Sequence, residues 1–231
     1  MADSILLWGA DFILYLQQFT WWPLDGLLRF CTWLGGMGYL FTVPFVLWCL
    51  DRRLGVNLLL LLALTLYLNT VLKEWFELAR PFATDSRILS EGELGYSFPS
   101  GHAQLVVVFW GLLAGWVKKR WFTGLCLLVM FLTGLSRSYL GVHYPSDVAV
   151  GWLLGGLTLW AWQRYGGDRL LDSWSQRRVA GWLVVALLAL VAVLLDSSAM
   201  VYGSLGMGFA AGLSALAVTD APQALSVSRR A

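Results

Sequence analysis

The sequence predicts an all-α protein, a polytopic helical membrane bundle of about six to seven transmembrane helices with an N-terminal interfacial helix. Three compositional facts and one pattern lead there. Hydrophobic residues make up 58% of the chain and charged residues 13%, and the mean hydropathy is +0.68. Apolar runs, most of about 17 to 20 residues, recur along the chain. One helical membrane domain is the economical reading for 231 residues of this composition.

The elements follow in order. Residues 1–30 form an N-terminal segment in which Asp11, Gln17 and Gln18 interrupt the apolar residues from Ser4 to Phe19. That mixture suits a helix lying in the interface, with a short tilted crossing as the alternative. No basic region precedes the first apolar stretch, which argues against a cleaved signal peptide. Residues 31–165 form the membrane core, with predicted spans at 31–50, 54–72, 103–117, 121–135 and 148–163. The third and fourth are short and are expected to extend into the polar residues beside them. A linker at 166–178, a transmembrane hairpin at 179–218 with spans at 179–195 and 199–218, and a polar tail at 219–231 complete the chain. The hairpin is rich in small residues, as in Gly208 to Gly212, which suits close helix packing or a homodimer contact.

The distribution of cations gives an orientation. Arg52 and Arg53, then Lys118, Lys119 and Arg120, then Arg164, Arg169, Arg177 and Arg178 occupy loops on one side. The other side holds Arg29 and Arg87 besides the residues of the polar clusters described below. Basic loops are retained in the cytoplasm, so the clusters face outward, as in a protein of a bacterial-type inner membrane. Tryptophans near run ends, among them Trp21, Trp22, Trp116, Trp121 and Trp174, read as interfacial anchors. A net charge of +2 with dispersed Lys and Arg leaves no nucleic-acid footprint. Cys31, Cys49 and Cys126 all lie in apolar stretches and read as reduced packing residues, with neither a disulfide framework nor a metal site.

Three polar clusters interrupt this apolar chain, and both of its histidines lie in them. Lys73 ends the second run and Arg80 follows it, just before Pro81. A lone Lys here reads as a snorkelling anchor, but a point charge beside a planar guanidinium is also a complementary pair for a phosphoryl group. Pro81 biases Arg80 towards extended backbone, so that the segment can fold back over the helix end. In the second cluster, Pro99-Ser100-Gly101-His102 precedes an apolar helix. Ser100 can act as its N-cap; equally, exposed N–H groups beside Gly101 make an anion site, with His102 placed to protonate a leaving oxygen. In the third, Ser136 and Arg137 end one run, and His143 and Asp147 precede the next with a four-residue spacing that can bring imidazole and carboxylate together. Taken singly, Asp147 fits a helix N-terminus stabilised by the dipole. Taken as a pair, a carboxylate on one ring nitrogen fixes the tautomer and offers the other nitrogen as a nucleophile. Lys73, Arg80 and Arg137 then make three cations for a group that carries about two negative charges near neutral pH.

Together the clusters read Lys, six residues, Arg-Pro; Pro-Ser-Gly-His; and Ser-Arg, five residues, His, three residues, Asp. This pattern resembles the type 2 phosphatidic acid phosphatase (PAP2) superfamily, and it covers Lys73 to Asp147. The resemblance implies a metal-independent phosphatase without a cofactor, with His143 as nucleophile, Asp147 orienting it and His102 protonating the leaving group. It likewise implies a phosphate cradle of Lys73, Arg80, Ser100, Gly101 and Arg137. Glu74 and Glu77, on the Lys73 segment, read as ordinary interfacial polarity rather than Mg2+ ligands. The expected substrate is a lipid phosphate or pyrophosphate of the phosphatidic acid, phosphatidylglycerol phosphate or undecaprenyl pyrophosphate type, hydrolysed at the outer membrane face. Phosphotransfer to a lipid acceptor would use the same residues. A non-catalytic lipid-phosphate transporter or binding protein would need the cations but not a His-Asp pair opposite a second histidine.

Overall fold

The computed structural model describes residues 2–165, apart from 91. The linker, the C-terminal hairpin and the polar tail lie outside the described residues. Eight α-helices occupy the described chain, with no strand among them. They are α1 (Ala2–Gln17), α2 (Trp22–Leu34), α3 (Tyr39–Phe45), α4 (Arg52–Phe76), α5 (Pro81–Thr84), α6 (Gly101–Val117), α7 (Arg120–Tyr139) and α8 (Pro145–Tyr165).

The predicted span at 31–50 is broken in the structure. Helix α2 begins earlier, at Trp22, with Pro23 in its first turn, where a missing N–H costs nothing. It ends in the run Gly35-Gly36-Met37-Gly38, and the chain resumes as α3 at an angle of 53°. Helix α3 then contains Pro44 and passes into one π-helical turn, Val46–Leu50. Proline removes a donor and crowds the preceding carbonyl, so a locally widened turn is an ordinary consequence. Apolar composition therefore located the run but not the break, which glycine and proline impose.

The other predicted spans in the described region form single helices. Asp51 starts α4 by accepting the Leu54 N–H at 2.7 Å. Glu77, in the left-handed region at φ 48°, ends it. Helices α6 and α7 extend beyond their apolar runs into the flanking polar clusters, as expected. By length and composition, α4 and α7 can each cross a membrane, and the bent α2 and α3 pair makes a third candidate. Helix α6 is apolar but only 17 residues long.

Helix α6 is the centre of the bundle, packing on α4, α7 and α8. Glycines of α8 set its closest approach: a Cβ at Gly151 would stand 2.6 Å from the Ser100 carbonyl oxygen, and one at Gly155 2.6 Å from that of Gln104. Gly151 and Gly155 are four residues apart on one face, the small-residue spacing that lets membrane helices touch backbone to backbone. Large apolar side chains cover much of the outer surface. Trp22, Trp75 and Trp121 are exposed near helix ends, as interfacial anchors would be, and Trp48 is exposed in the π turn.

Alternation of the helices gathers the three polar clusters. The C-terminal ends of α4 and α7 and the N-terminal ends of α6 and α8 carry Lys73, Arg137, His102 and Asp147. The opposite ends of the same four helices carry Arg52 and Arg53, Lys118 to Arg120, and Arg164. Helix α1 packs at the cluster end. Its Ala10 and Ile13 share a buried group with Ile88 and Tyr144, and Gln17 accepts the Leu89 N–H while donating to the Leu89 and Tyr139 carbonyls.

Candidate active site

The site begins where α4 ends. Lys73 is buried to 7% exposure, and its Nζ donates to the Tyr96 carbonyl at 2.6 Å, which turns the ammonium inward instead of towards a headgroup layer. The snorkelling alternative therefore does not describe it. Arg80 is extended (φ −76°, ψ 154°), as Pro81 dictates, and the chain folds back so that its guanidinium is buried. Its Nε donates to the Gly95 carbonyl and Nη2 to that of Leu94, each at 2.9 Å, while Nη1 reaches the Val142 carbonyl at 3.0 Å. The same Nη1 lies 3.4 Å from His143 Nε2.

His143 sits in the short turn between α7 and α8, at 1% exposure. The turn closes because the Arg137 carbonyl accepts the N–H groups of both Val142 and His143, and because Gly141 takes φ 71°. A Cβ at Gly141 would approach the Leu89 carbonyl oxygen to 2.5 Å, so both the dihedral and the space select glycine. The ring presents two different faces. Nε2 looks towards Arg80, and Nδ1 lies 3.6 Å from Asp147 Oδ2. Burial, and then the nearby cations Arg137, Lys73 and Arg80, hold the imidazole well below its ordinary pKa. A neutral ring with a lone pair aimed at a cationic corner is the form in which imidazole acts as a nucleophile.

Asp147 lies in the first turn of α8 and is 2% exposed. Its Oδ2 accepts the Tyr144 N–H at 3.0 Å and the Ser97 hydroxyl at 2.5 Å. Ser97 Oγ also lies 3.5 Å from His143 Nδ1, so this hydroxyl stands between carboxylate and imidazole. The sequence motifs did not single out Ser97; a polar residue two positions before the Pro99 motif was its only signal.

Ser100 caps α6, its Oγ accepting the Ala103 N–H, which bears out its structural reading, and its own backbone N–H donates to the Asp147 carbonyl at 3.1 Å. A Cβ at Gly101 would meet Asn69 Oδ1 at 2.9 Å. Asn69 in turn donates to the Pro99 carbonyl and to Gln104 Oε1, tying the Pro99 to His102 segment to α4. Both amides lie inside apolar runs, where polar residues are expensive, and that is the signal that could have found them. His102 lies against the break between α2 and α3: a Cβ at Gly36 would be 2.6 Å from its Nε2. Arg137 is 4% exposed, and its Nε is buried without a hydrogen-bond partner.

One acidic side chain reaches the cations without having been predicted. Glu93 Oε2 pairs with Arg80 Nη1 at 3.2 Å and also with Arg137 Nη2. A single carboxylate thus bridges two of the three cations in the candidate phosphate cradle. The geometry brings Lys73, Arg80, Arg137, His143 and Asp147 into one cluster at the ends of four helices, with Ser100 and His102 on the adjoining first turn of α6.

Comparison with known proteins gives the family. Residues 54–171, over half of the chain, match the model of the PAP2 superfamily. The chain is 34% identical over 106 residues to an undecaprenyl-diphosphatase of Sulfolobus acidocaldarius, aligning 45% of this chain with 51% of that one. It is also 34% identical over 110 residues to a phosphatidylglycerophosphatase B of Bacillus subtilis, covering 44% of this chain and 52% of the relative. The matches thus span about half the length of these curated relatives. Among solved structures, a transmembrane PAP2 type phosphatidylglycerolphosphate phosphatase from Bacillus subtilis superposes with a TM-score of 0.63 at 23% identity, over 72% of this chain and 88% of the other. At that identity the likeness speaks for the fold. Fold, motif order and family match agree: this chain belongs to the PAP2 superfamily.

Proposed function

We propose that this protein is an integral membrane phosphatase that hydrolyses a lipid phosphate or pyrophosphate through a phosphohistidine. The observation that carries the reading is His143, whose Nδ1 faces Asp147 and Ser97 while its Nε2 faces Arg80. Nε2 attacks phosphorus, an N–P bond forms, the ester or anhydride P–O bond breaks, and the departing oxygen takes a proton from His102. Water then attacks the phosphohistidine, giving up a proton to His102, and orthophosphate leaves as the N–P bond breaks. Lys73, Arg80, Arg137, Ser100 and the Gly101 N–H hold the phosphoryl oxygens, where fixed cations and N–H groups stabilise charge spreading in transfer.

The substrate class follows from the place of the site. Cations at the end of an apolar bundle suit a phosphate head on apolar tails, and relatives carry the names undecaprenyl-diphosphatase and phosphatidylglycerophosphatase B. With Arg52, Arg53, Lys118, Lys119, Arg120 and Arg164 at the opposite ends of the helices, the positive-inside rule supports an outward-facing site in an inner-type membrane. A core at 31–165 and a total of about six to seven crossings, including the hairpin at 179–218, belong to the same reading.

The test is orthophosphate release by the detergent-purified chain in EDTA, over phosphatidic acid, phosphatidylglycerol phosphate, undecaprenyl pyrophosphate and glucose 6-phosphate. Release from one or more of the lipids, lost in His143→Ala, is expected. Binding of these lipids without release, even with acceptor lipids added, would replace the hydrolase reading with a binding role. Transfer to an acceptor without free phosphate would make the protein a phosphotransferase.

A further inference from the structure

The segment Glu93 to Tyr96 faces the cations with acceptors only. Leu94 and Gly95 carbonyls take two donors of Arg80, the Tyr96 carbonyl takes Lys73, and the Glu93 carboxylate takes Arg80 Nη1 together with Arg137 Nη2. These contacts differ in kind. The carbonyls hold Arg80 and Lys73 from the chain side. Glu93 bridges two guanidiniums through one oxygen, as a phosphoryl oxygen would, and its side chain remains 34% exposed while theirs are 3% and 4%. Beside this corner lie His143 Nε2, at 3.4 Å from Arg80 Nη1, and the partnerless Nε of Arg137. Glu93 is therefore an anion on the very donors that a phosphate must use, carried between two glycines, Gly92 at φ 79° and Gly95 at φ 77°. Neither glycine has a neighbouring atom within 4 Å of where a Cβ would stand, so it is their positive φ and not lack of space that calls for glycine.

We infer that Glu93 is a specificity residue: it competes for Arg80 and Arg137, yields to a terminal phosphate, and keeps the phosphodiesters of the surrounding bilayer out of the site. A terminal phosphate carries about two negative charges near neutral pH and three acceptor oxygens, so its exchange for a carboxylate gains charge and hydrogen bonds. A phosphodiester carries a single charge and two free oxygens, no more than the carboxylate it would displace. The difference matters in a membrane, where bulk lipids are diesters present in large excess over any monoester. This inference rests on the lipid phosphatase reading and names the headgroup class that its site takes.

The experiment compares the full-length wild type with Glu93→Gln and Glu93→Asp in mixed micelles. Two quantities are read: inhibition of phosphatidic acid hydrolysis by orthophosphate, and its inhibition by phosphatidylglycerol. Glu93→Gln should lower the inhibition constant of orthophosphate about tenfold or more, because the bridging charge is gone and both guanidiniums keep their other partners or lie free for the anion. It should also become sensitive to phosphatidylglycerol at surface fractions the wild type ignores, and Glu93→Asp should stay insensitive. An unchanged or higher constant in Glu93→Gln, continued insensitivity to the diester, or an Asp variant that behaves like Gln would overturn the inference. Should Glu93→Gln fail to turn over, orthophosphate is titrated directly into both proteins by calorimetry; tighter binding to the variant supports the competition and weaker binding refutes it. Because that titration needs no turnover, a wild type that binds orthophosphate but hydrolyses nothing would sink the hydrolase reading and leave Glu93 to be judged on binding.

Discussion

At the scale of single residues, the proposed chemistry requires one imidazole to stay neutral among the cations Lys73, Arg80 and Arg137. Replacement of His143 by Ala should reduce phosphate release below about one hundredth of wild type while lipid binding persists; larger residual turnover would argue against a nucleophile. Burial and the cations Arg137, Lys73 and Arg80 depress the pKa of His143. Free imidazole protonates near pH 6.5, so His143 should remain neutral at that pH and gain a proton only in more acid solution. Bound orthophosphate offsets the cations and should move the titration upward. The chain has only two histidines, so His-labelled NMR with a His102→Ala reference can read both effects. Titration at or above the ordinary value without phosphate would contradict the account. Linkage gives the same asymmetry a stability consequence: the unfolded chain takes up the proton first, so stability held above about pH 6.5 is lost as the pH falls below it. Ser97 should behave as a positioning residue. Ser97→Ala should lower kcat about tenfold or more and shift the His143 titration, and Ser97→Thr, which keeps the hydroxyl, should restore most of both. A loss of stability with no shift in the titration would mark Ser97 as structural only.

Among the elements, glycine decides what the apolar runs can do. Helix α8 reaches α6 through Gly151, and a Cβ there would press on the Ser100 carbonyl, in the very turn that starts α6 and carries His102. Gly151→Ala should therefore cost about 1 to 3 kcal/mol as an overpacking substitution, and lower kcat because the turn must shift. Gly156→Ala, with nothing within 4 Å, is the matched control and should leave the thermal midpoint in detergent unchanged. Equal midpoints for the two variants would deny the close approach. The break between α2 and α3 acts in the same way, since Gly36 leaves room for the ring of His102. Gly36→Ala should impair turnover more than lipid binding, and a kcat equal to wild type would show that this contact does not constrain His102.

Across the whole molecule, the arrangement follows from alternation: helix ends of one sense converge, and clusters lying up to 74 residues apart, from Lys73 to Asp147, meet at one end of the bundle. The orientation proposed for that end can be read directly. A cysteine placed at Lys119, in a variant lacking Cys31, Cys49 and Cys126, should resist a membrane-impermeant thiol reagent in intact cells and react after permeabilisation. Labelling before permeabilisation would reverse the orientation and place the site in the cytoplasm.

The sequence by itself determined the helical class, the location of most runs and the positions of the three polar clusters, because membrane helices are written as uninterrupted apolar length and charges within them are too costly to be casual. Extended backbone at Arg80 was legible from Pro81, and the cap at Ser100 from its place before an apolar run. What the tertiary structure alone decided are contacts whose partners are far apart in the chain. Ser97 between His143 and Asp147, Asn69 against Pro99 and Gln104, and Glu93 across Arg80 and Arg137 each join different elements. Ser97 and Glu93 are ordinary in sequence, since a Ser or Glu in a polar loop is usually solvated, whereas Asn69 and Gln104 stand out as amides within apolar runs but do not reveal their partners. Only packing brings them within hydrogen-bond reach of buried charge, where a single polar atom acquires chemical consequence.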